Sequence, residues 1–373
     1  MPIWVKTISY VLTMTTSEPE SLHGQSSSNS GLSIAIVRFS ALGDVVLAIP
    51  AVRALARSFP EATLTWITSP LGFSILRGLE GVNFAVYDKP RSLRDYRAFY
   101  RNFRDRRFDV VLEMQANLRI NLLYPALHSP TKIGFDRIRA KEGQWLFSNQ
   151  RIPFRNHHLA DSFMAFAGQL GADIANPDFT LPLTGADHNF AQAKLADLPR
   201  PLIAIHPFAS KAERNWPIER LADVMRRAHQ QWQCGFVITG GTSAAEMQSC
   251  RQLAEALPTH TLNLCGQTSP KQLAAVLGQT NALIAPDTGA VHLARAMNTP
   301  VIGLYAVAPP ELSGPYRALE YVVNRYPEAA RQFLHKQPEQ LGWNTRVHHA
   351  GAMQLIQADD VMQQLSAVIN NIN

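Results

Sequence analysis

Short β-rich runs of apolar residues alternate with amphipathic helical patterns from residue 33 almost to the end of the chain. In the first half, this pattern predicts strands at 33–39, 63–68, 83–87, 109–113 and 132–135. It predicts helices at 44–59, 92–107 and 157–170. Pro50 lies inside the first of these helices and is expected to break or kink it.

The second half repeats the scheme. Its apolar runs predict strands at 202–206, 235–239, 261–264, 282–285 and 301–305. Helices are predicted at 217–230, 243–257, 271–277, 289–297 and 359–369. The helix at 217–230 is expected to have Pro217 at its first position.

Strands that alternate with helices indicate an α/β fold with parallel sheets covered by helices on both faces. Proline and glycine cluster between 177 and 201, which predicts a boundary between an N-terminal domain, 31–185, and a C-terminal domain, 186–350. In open parallel sheets, ligands bind outside the carboxyl ends of the strands. We therefore expect the active site in a cleft between two facing sheets.

Charge and composition narrow the class of protein. Residues 31–185 carry 19 Lys and Arg against 13 Asp and Glu, whereas 186–373 carry 15 against 14. The basic excess predicts an anionic partner for the first half: a phosphorylated acceptor, a membrane surface or nucleic acid. Residues 1–30, which include a Ser-rich stretch at 17–30, are expected to be a disordered leader. The three widely spaced cysteines and the lack of a long apolar run favour a cytoplasmic protein without a disulfide scaffold, zinc site or membrane span.

The first segment that carries chemistry is 38–44, R-F-S-A-L-G-D, which follows the first strand and opens a helix. Ser40 and Gly43 suit a tight loop, and Asp44 falls at the helix start. A carboxylate there can cap the helix, or it can act as an ionised general base. Both interpretations stay open from position alone.

A second segment, 285–292, reads A-P-D-T-G-A-V-H and also runs from a strand through a turn into a helix. Thr288 can cap this helix, Gly289 allows close approach of a phosphate, and the free N–H groups of the first turn attract anions. Asp287 would repel phosphate, so we expect it to order the loop through backbone hydrogen bonds. His292 lies one turn into the helix. The alternative is a structural turn without a ligand.

Two further loops follow strands of the second half. Ser210, Lys211 and Arg214 form a cationic loop suited to the charge that develops on a leaving diphosphate, or simply a solvated loop. Gly241 follows another glycine, and Glu246 lies a turn later. Glu246 can hold ribose hydroxyls, or it can be an ordinary acid of the first helical turn. A nicotinamide dehydrogenase is disfavoured because G-x-G-x-x-G is absent.

Arginines recur at helical spacing in the predicted helix 92–107 and just before it. The set comprises Arg91, Arg94, Arg97, Arg101 and Arg104. Such a face is typical of a membrane-surface or phosphate-binding helix, or of a solvated helix surface. Further cations occur at or after the later strands of this half: Arg119, Lys132, Arg137, Arg139 and Lys141.

Taken together, residues 33–370 resemble the ADP-heptose:lipopolysaccharide heptosyltransferases of glycosyltransferase family 9. The family's S-x-x-G-D-V segment is matched at 40–45, and its D-T-G-x-x-H segment at 287–292. A P-x-x-x-G-P-Y segment follows at 310–316. The resemblance implies a GT-B fold, two Rossmann-like doubly wound domains facing across a cleft. It also implies that the C-terminal helix, within 351–373, packs back towards the N-terminal domain.

The resemblance also implies roles. Asp44 is expected to be the catalytic base, and the donor's diphosphate is expected to meet a set of residues in the second half: Ser210, Lys211, Arg214, Asp287, Thr288, Gly289 and His292. Gly241 and Glu246 are candidates for the ribose or base. The acceptor is expected at Ser40, Gly43, Arg94, Arg97, Arg101, Gln115, Arg119 and Arg137. Gln115 stands where the family has D-x-Q-G, but this chain reads E-M-Q-A at 113–116.

The expected activity is transfer of heptose from ADP-heptose, with inversion and without a metal or cofactor, to a phosphorylated, lipid-linked inner-core acceptor. The enzyme would work in the cytoplasm at the inner face of the inner membrane, without nucleic acid. Two alternatives remain: a GT-B transferase that uses another nucleotide sugar, and a non-catalytic module that binds nucleotides or polyanions.

Overall fold

The computed structural model describes residues 31–155, 158–255 and 259–371. The predicted leader, 1–30, lies outside the described residues. The first half forms a six-stranded parallel sheet in the order β3-β2-β1-β4-β5-β6. Its strands are β1 (Ser33–Val37), β2 (Thr63–Thr68), β3 (Val82–Val86), β4 (Val110–Leu112), β5 (Thr131–Gly134) and β6 (Gln150–Arg151).

Five helices belong to this half, and they are α1 (Leu42–Ser58), α2 (Pro70–Leu76), α3 (Leu93–Phe103), α4 (Leu118–Asn121) and α5 (Leu159–Gln169). The central strand β1 is fully covered, with Ile36 opposite Trp66 on β2 and Leu112 on β4. Strands buried on both faces are continuous apolar runs, which is why the sequence pattern identifies them.

The second half forms another six-stranded parallel sheet, in the order β12-β11-β10-β7-β8-β9. Its strands are β7 (Leu202–Ile205), β8 (Gly235–Ile238), β9 (Thr261–Asn263), β10 (Ala282–Pro286), β11 (Val301–Tyr305) and β12 (Val323–Asn324). The helices after α5 are α6 (Gly185–Leu195), α7 (Ile218–Trp232), α8 (Ala244–Ala254), α9 (Pro270–Leu277), α10 (Gly289–Ala296), α11 (Pro310–Ser313), α12 (Tyr326–Ala329) and α13 (Ala358–Asn370).

One hydrophobic cluster joins the two halves. It includes residues of α1 and α5 from the first half and of α9 and α10 from the second. Helix α1 packs against both α5 and α10. Lys271 on α9 adds a polar link, because its ammonium donates to the carbonyls of Arg77 and Pro182. The carboxyl ends of the sheets therefore meet over a packed junction.

Several details differ from the sequence-based predictions. The two-residue strands β6 and β12 and the helices α2, α4, α6, α11 and α12 were not predicted. Helix α1 continues through Pro50 without a break, and its residues 45–52 are all buried, while a kink at Pro50 stays a prediction. Pro217 is the N-cap of α7 rather than its first residue. The predicted helix 157–170 begins at a residue outside the described ranges.

The C-terminal helix corrects another expectation. Helix α13 packs on α7, β11 and β12, and its buried side chains belong to the hydrophobic cluster of the second half. We expected it to return towards the N-terminal domain. The domain limits 31–185 and 186–350 stay predictions. In the part of the chain that the structure describes, no helix combines the length and apolar character needed to cross a bilayer.

Candidate active site

Asp44 is the third residue of α1, at the carboxyl edge of the first sheet. Its carboxylate accepts the N–H of Ala41 at 3.1 Å and forms an ion pair with Arg38. The Arg38 guanidinium also donates to the carbonyl of Met114 at 2.6 Å and lies 5.0 Å from the ring centre of Phe163. The Asp44 side chain therefore makes a capping interaction at the start of α1, yet it is 27% exposed and accessible to a ligand.

Gln115 supports the loop that leads to Asp44. Its amide oxygen accepts the N–H groups of Phe39 at 2.7 Å and Ser40 at 3.3 Å, and its carbonyl accepts the Tyr124 hydroxyl. Gln115 is almost fully buried. Its side chain thus holds the loop in place, and the predicted contact between Gln115 and an acceptor stays a prediction.

The two signature segments meet at a pair of glycines. A methyl group added to Gly43 would lie 2.5 Å from Cδ2 of His292 and 3.3 Å from Cα of Gly289. A methyl group on Gly289 would lie 3.3 Å from the backbone N of Gly43. The starts of α1 and α10 therefore approach more closely than residues with a Cβ would allow. This contact brings Asp44 next to the segment Asp287–His292.

Asp287 is buried among side chains. Its carboxylate lies 3.1 Å from Nη1 of Arg214 and accepts the Ser313 hydroxyl at 3.2 Å. Burial raises the pKa of Asp287, while the nearby Arg214 and Arg346 and the Ser313 hydrogen bond act to lower it. We expected Asp287 to order its loop through backbone hydrogen bonds. That detail is wrong, because its partners are side chains from two other segments.

His292 lies fully inside the site. Burial and, to a smaller extent, the neighbouring His158 lower its pKa to about 4, although the charge of Asp44 acts to raise it. His292 is therefore neutral at pH 7. Its Nδ1 is buried and has no hydrogen-bond partner among the described residues. This ring can present a neutral nitrogen to a ligand, but it does not bring a cation.

The start of α10 remains open for a ligand. Thr288 is the N-cap residue, yet within the described part of the chain its hydroxyl makes no capping hydrogen bond. Thr288 and Gly289 are both partly exposed. First-turn amides without such a cap are available to an anion, and the dipole of the helix favours it.

The cationic loop after β7 borders the same place. Arg214 ends a short helical turn, and its guanidinium is held by Asp287. Ser210 and Lys211 lie exposed just before this turn. His206 is buried at the end of β7, where burial lowers its pKa to about 4. Arg214 is thus fixed beside α10, while Lys211 is free to extend towards solvent.

Glu246 has a local role in the structure. Its carboxylate accepts the N–H of Gly241 at 2.8 Å, and its own N–H donates to the Ser243 hydroxyl at the start of α8. This geometry matches the ordinary first-turn acid. Contact of Gly241 or Glu246 with a ribose stays a prediction.

The predicted acceptor residues fall into two groups. Arg119 lies near Lys89, which in turn lies near Asp44. The pKa of Lys89 is lowered chiefly by burial and then by the charges of Arg119 and Arg38, while Asp44 acts to raise it. Arg94, Arg97 and Arg101 lie on the exposed face of α3, while Arg91 precedes the helix and Arg104 caps its end. Arg137 is exposed in the loop after β5.

Sequence reasoning missed three cations of the site. Arg38 directly follows β1 and is the first residue of the recognised segment 38–44, so its position at a carboxyl end was an available signal. Lys89 and Arg346 lie in loops without any local pattern. Burial and the neighbouring Arg214 lower the pKa of Arg346, and Asp287 and Asp44 raise it. Folding brings Lys89 close to Asp44, and it brings Arg346 close to both Asp287 and Asp44.

Metal binding was not expected from the sequence. In the described ranges, no group of three or more His, Cys, Asp or Glu side chains could hold a metal ion. The absence of a metal from the reaction stays a prediction. The site offers one accessible carboxylate, several guanidinium groups and an open helix start.

Comparison of the fold with solved structures identifies close architectural matches. The glycosyl transferase family 9 protein from Veillonella parvula superposes with a TM-score of 0.75 at 19% identity, covering 93% of this chain and all of that one. The E. coli heptosyltransferase WaaC with ADP superposes with a TM-score of 0.66 at 19% identity, covering 91% and 98%. The predicted GT-B arrangement of two parallel sheets is thereby confirmed.

Sequence comparison goes further than the fold. Residues 96–344 match the model of glycosyltransferase family 9 (heptosyltransferase). The lipopolysaccharide core heptosyltransferase OpsX of Haemophilus influenzae is 33% identical over 335 residues, 89% of this chain and 96% of that protein. Lipopolysaccharide heptosyltransferase 1 of Pseudomonas aeruginosa is 24% identical over 305 residues, 76% of this chain and 81% of that protein. The resemblance seen in the sequence is confirmed, and the chain belongs to glycosyltransferase family 9, the heptosyltransferases.

Proposed function

We propose that this glycosyltransferase moves heptose from ADP-heptose, with inversion, to a phosphorylated sugar of the lipopolysaccharide inner core, either Kdo on lipid A or an already heptosylated core. The observation that carries the proposal is the accessible Asp44 carboxylate held against the Asp287–His292 segment through the glycine contact. The Asp44 carboxylate supplies a base, and the uncapped start of α10 next to it supplies a site for an anion.

The names of related proteins support the choice of sugar and nucleotide. OpsX of Haemophilus influenzae is a lipopolysaccharide core heptosyltransferase. The WaaC structures that share this fold contain ADP or ADP-2-deoxy-2-fluoro heptose. Family membership together with these names favours ADP-heptose over UDP- or GDP-sugars.

Asp44 acts as the base in the proposed mechanism. It takes the proton of an acceptor hydroxyl, whose oxygen attacks the anomeric carbon from the face opposite the diphosphate. The bond from that carbon to the diphosphate breaks, and its electron pair leaves with ADP, so configuration inverts. The ion pair with Arg38 and the N–H of Ala41 keep the carboxylate oriented before the acceptor arrives. A positioned base contributes roughly 10²–10⁴-fold to the rate.

The second half stabilises the leaving group. Arg214 carries a fixed positive charge beside the start of α10, and Thr288 and Gly289 offer backbone N–H groups there. Such preorganised donors are effective because they need no reorientation as charge develops. Lys211 can add a mobile cation from the loop before Arg214. His292 contributes a neutral nitrogen, since its pKa is about 4.

The acceptor belongs with the first half in this proposal. Arg119 and Lys89 supply positive charge near Asp44, which suits a phosphorylated sugar. Because such an acceptor carries a lipid, the enzyme would work in the cytoplasm at the inner face of the inner membrane. No nucleic acid takes part. Arg94, Arg97 and Arg101 would meet anionic headgroups or acceptor phosphates.

The substitution Asp44→Asn tests the assignment. The amide keeps the size of the side chain and can still accept the Ala41 N–H, but it cannot take a proton. We expect turnover of ADP-heptose to fall roughly 10²–10⁴-fold, while ADP binding measured by calorimetry stays near that of the unmodified enzyme. Asp178→Asn is the matched control, because Asp178 also faces an arginine but lies at a distance from the site.

Two readouts separate the alternatives. The anomeric configuration of the product, measured by NMR, tests inversion. Parallel assays with ADP-, UDP- and GDP-sugars on defined truncated lipopolysaccharides, read by mass, test the donor and the acceptor position. Wild-type-like turnover by Asp44→Asn would refute the base, and ADP binding without turnover of any donor would indicate a non-catalytic module.

A further inference from the structure

Large apolar side chains are exposed very unevenly over the molecule. Among the described residues, eleven large hydrophobic side chains are exposed, and ten of them lie between 71 and 154. Leu319 is the one in the second half. Scattered apolar residues on a surface are normal, but a contiguous exposed patch of them marks an interaction surface.

Four of these side chains lie on two neighbouring segments, and we call them the apolar tip: Leu118, Leu122, Trp145 and Leu146. Leu118 and Leu122 are one turn apart on α4 and its C-cap, so they share a side of the helix. Trp145 and Leu146 follow each other in a short helical turn. Their exposed fractions, 47% and 74%, are unusual for side chains of this size.

Hydrogen bonds tie the two parts of the apolar tip together. The Asn121 side chain donates to the carbonyls of Lys141 at 3.1 Å and Glu142 at 2.9 Å. The Glu142 carboxylate accepts the N–H of Leu118. Beneath the tip, the buried Gln144 side chain donates to the carbonyl of Glu113 at 2.7 Å. The turn that exposes Trp145 and Leu146 is therefore anchored from inside rather than loose.

Positive charge flanks the apolar tip. Helix α3 lies beside α4, because the hydroxyls of Tyr96 and Tyr100 donate to the carbonyls of Arg119 and Leu122 at 3.1 and 2.9 Å. The exposed side of α3 carries a group that we call the arginine face: Arg94, Arg97 and Arg101. The acid within this helix, Asp95, accepts the N–H groups of Arg91 and Ser92, just before the helix begins. The surface therefore combines apolar contact area with three exposed arginines, which outnumber the one acid of the helix.

We propose that the apolar tip inserts at the headgroup level of an anionic lipid bilayer while the arginine face binds the lipid phosphates. This combination of Trp and Leu at the contact with arginines at the rim suits the boundary between headgroups and acyl chains. Arg119, on the same helix as the tip, lies close enough to Lys89 to lower its pKa, and Lys89 is near Asp44. A bilayer seated on the tip would bring a lipid-borne acceptor to the mouth of the site.

Vesicle binding tests this surface directly. The probes are phosphatidylcholine vesicles with and without phosphatidylglycerol, assayed by co-sedimentation with the complete chain. We expect the double substitution Trp145→Ser and Leu146→Ser to weaken binding on the order of tenfold, as expected when two half-exposed apolar side chains are lost. This loss should persist at high salt. Leu319→Ser, the matched control in the second half, should bind as the unmodified chain does.

The arginine face has a different expected signature. Replacing Arg94, Arg97 and Arg101 by Gln should remove most of the preference for phosphatidylglycerol and most of the salt dependence. Brominated lipids should quench the fluorescence of the unmodified protein, and Trp145→Phe should abolish that quenching. Thermal denaturation of every variant checks that the fold is intact.

The inference rests on the proposed function only for the lipid-borne acceptor, and the two can fail separately. The tip double variant should keep full turnover with a water-soluble, delipidated acceptor. Vesicle binding without turnover by the unmodified chain would refute the proposed function and support the surface. Unchanged vesicle binding by the double variant would overturn the surface. A dimer that depends on the tip, without vesicle binding, would overturn it in favour of self-association.

Discussion

Glu113 provides a stability prediction that follows from burial alone. It comes directly after β4, its side chain is fully buried, and neither carboxylate oxygen has a hydrogen-bond partner among the described residues. Burial raises its pKa from 4.5 to about 8, although the charge of Lys132 opposes the shift. The folded chain therefore keeps this proton over a range of pH in which the unfolded chain has released it.

The sign of the pH effect follows from that difference. Between pH 4.5 and 8 the unfolded chain binds fewer protons at this position, so stability falls as pH rises and levels off above 8. Each pH unit within the window removes about 1.4 kcal/mol at most. From pH 4.5 to 7.5 the loss that Glu113 causes is therefore on the order of 3 kcal/mol.

Glu113→Gln isolates this effect, because the amide keeps the shape and is neutral at every pH. Near pH 4.5 the variant should denature like the unmodified chain. At pH 7.5 it should be more stable by on the order of 3 kcal/mol, or several degrees in Tm. Glu61→Gln, at an exposed turn, is the control. A stability difference that does not change with pH, measured by thermal denaturation across the window, would refute the reasoning.

Two further predictions concern the site. Arg38→Gln removes the charge paired with Asp44, so we expect kcat to fall at least about tenfold with little change in the ADP Kd. Arg53→Gln, on helix α1 with Asp44, should leave both unchanged. An equal loss in ADP affinity by Arg38→Gln would contradict a positioning role. Gly43→Ala places a methyl group against His292, so urea unfolding should show destabilisation of about 1–3 kcal/mol. Gly185→Ala, where the added group meets open space, should not destabilise.

Much of the fold could be predicted because its physical cause is local. The ten strands predicted from apolar runs all exist, since a parallel strand between two helical layers is apolar throughout. The strands β6 and β12 have two residues each, too short for any run to indicate them. Helix α13 shows what a local pattern does not predict, namely the neighbours of an element. Its pattern predicts a helix correctly, but the neighbours of that helix are set by tertiary packing.

Some residues of the site could likewise be predicted from their position in the sequence, and others could not. Asp44, Arg214 and the Asp287–His292 segment each follow a strand, so sequence position alone brings them to carboxyl edges. Arg346 and Lys89 lie in loops, and their nearness to the aspartates depends on how distant segments pack. The apolar tip was missed for a related reason. A sequence pattern shows an apolar residue, but it does not show whether that residue is covered.

The two aspartates of the site differ in burial rather than in chemistry. Asp287 is held by Arg214 and Ser313 and is almost closed off from solvent, so its carboxylate is used to fix a cation beside α10. Asp44 has a comparable arginine partner, yet its side chain remains open. An acceptor hydroxyl can therefore reach Asp44 but not Asp287. Because both residues lie at strand-to-helix junctions, only the packing around them determines which one is free to take a proton.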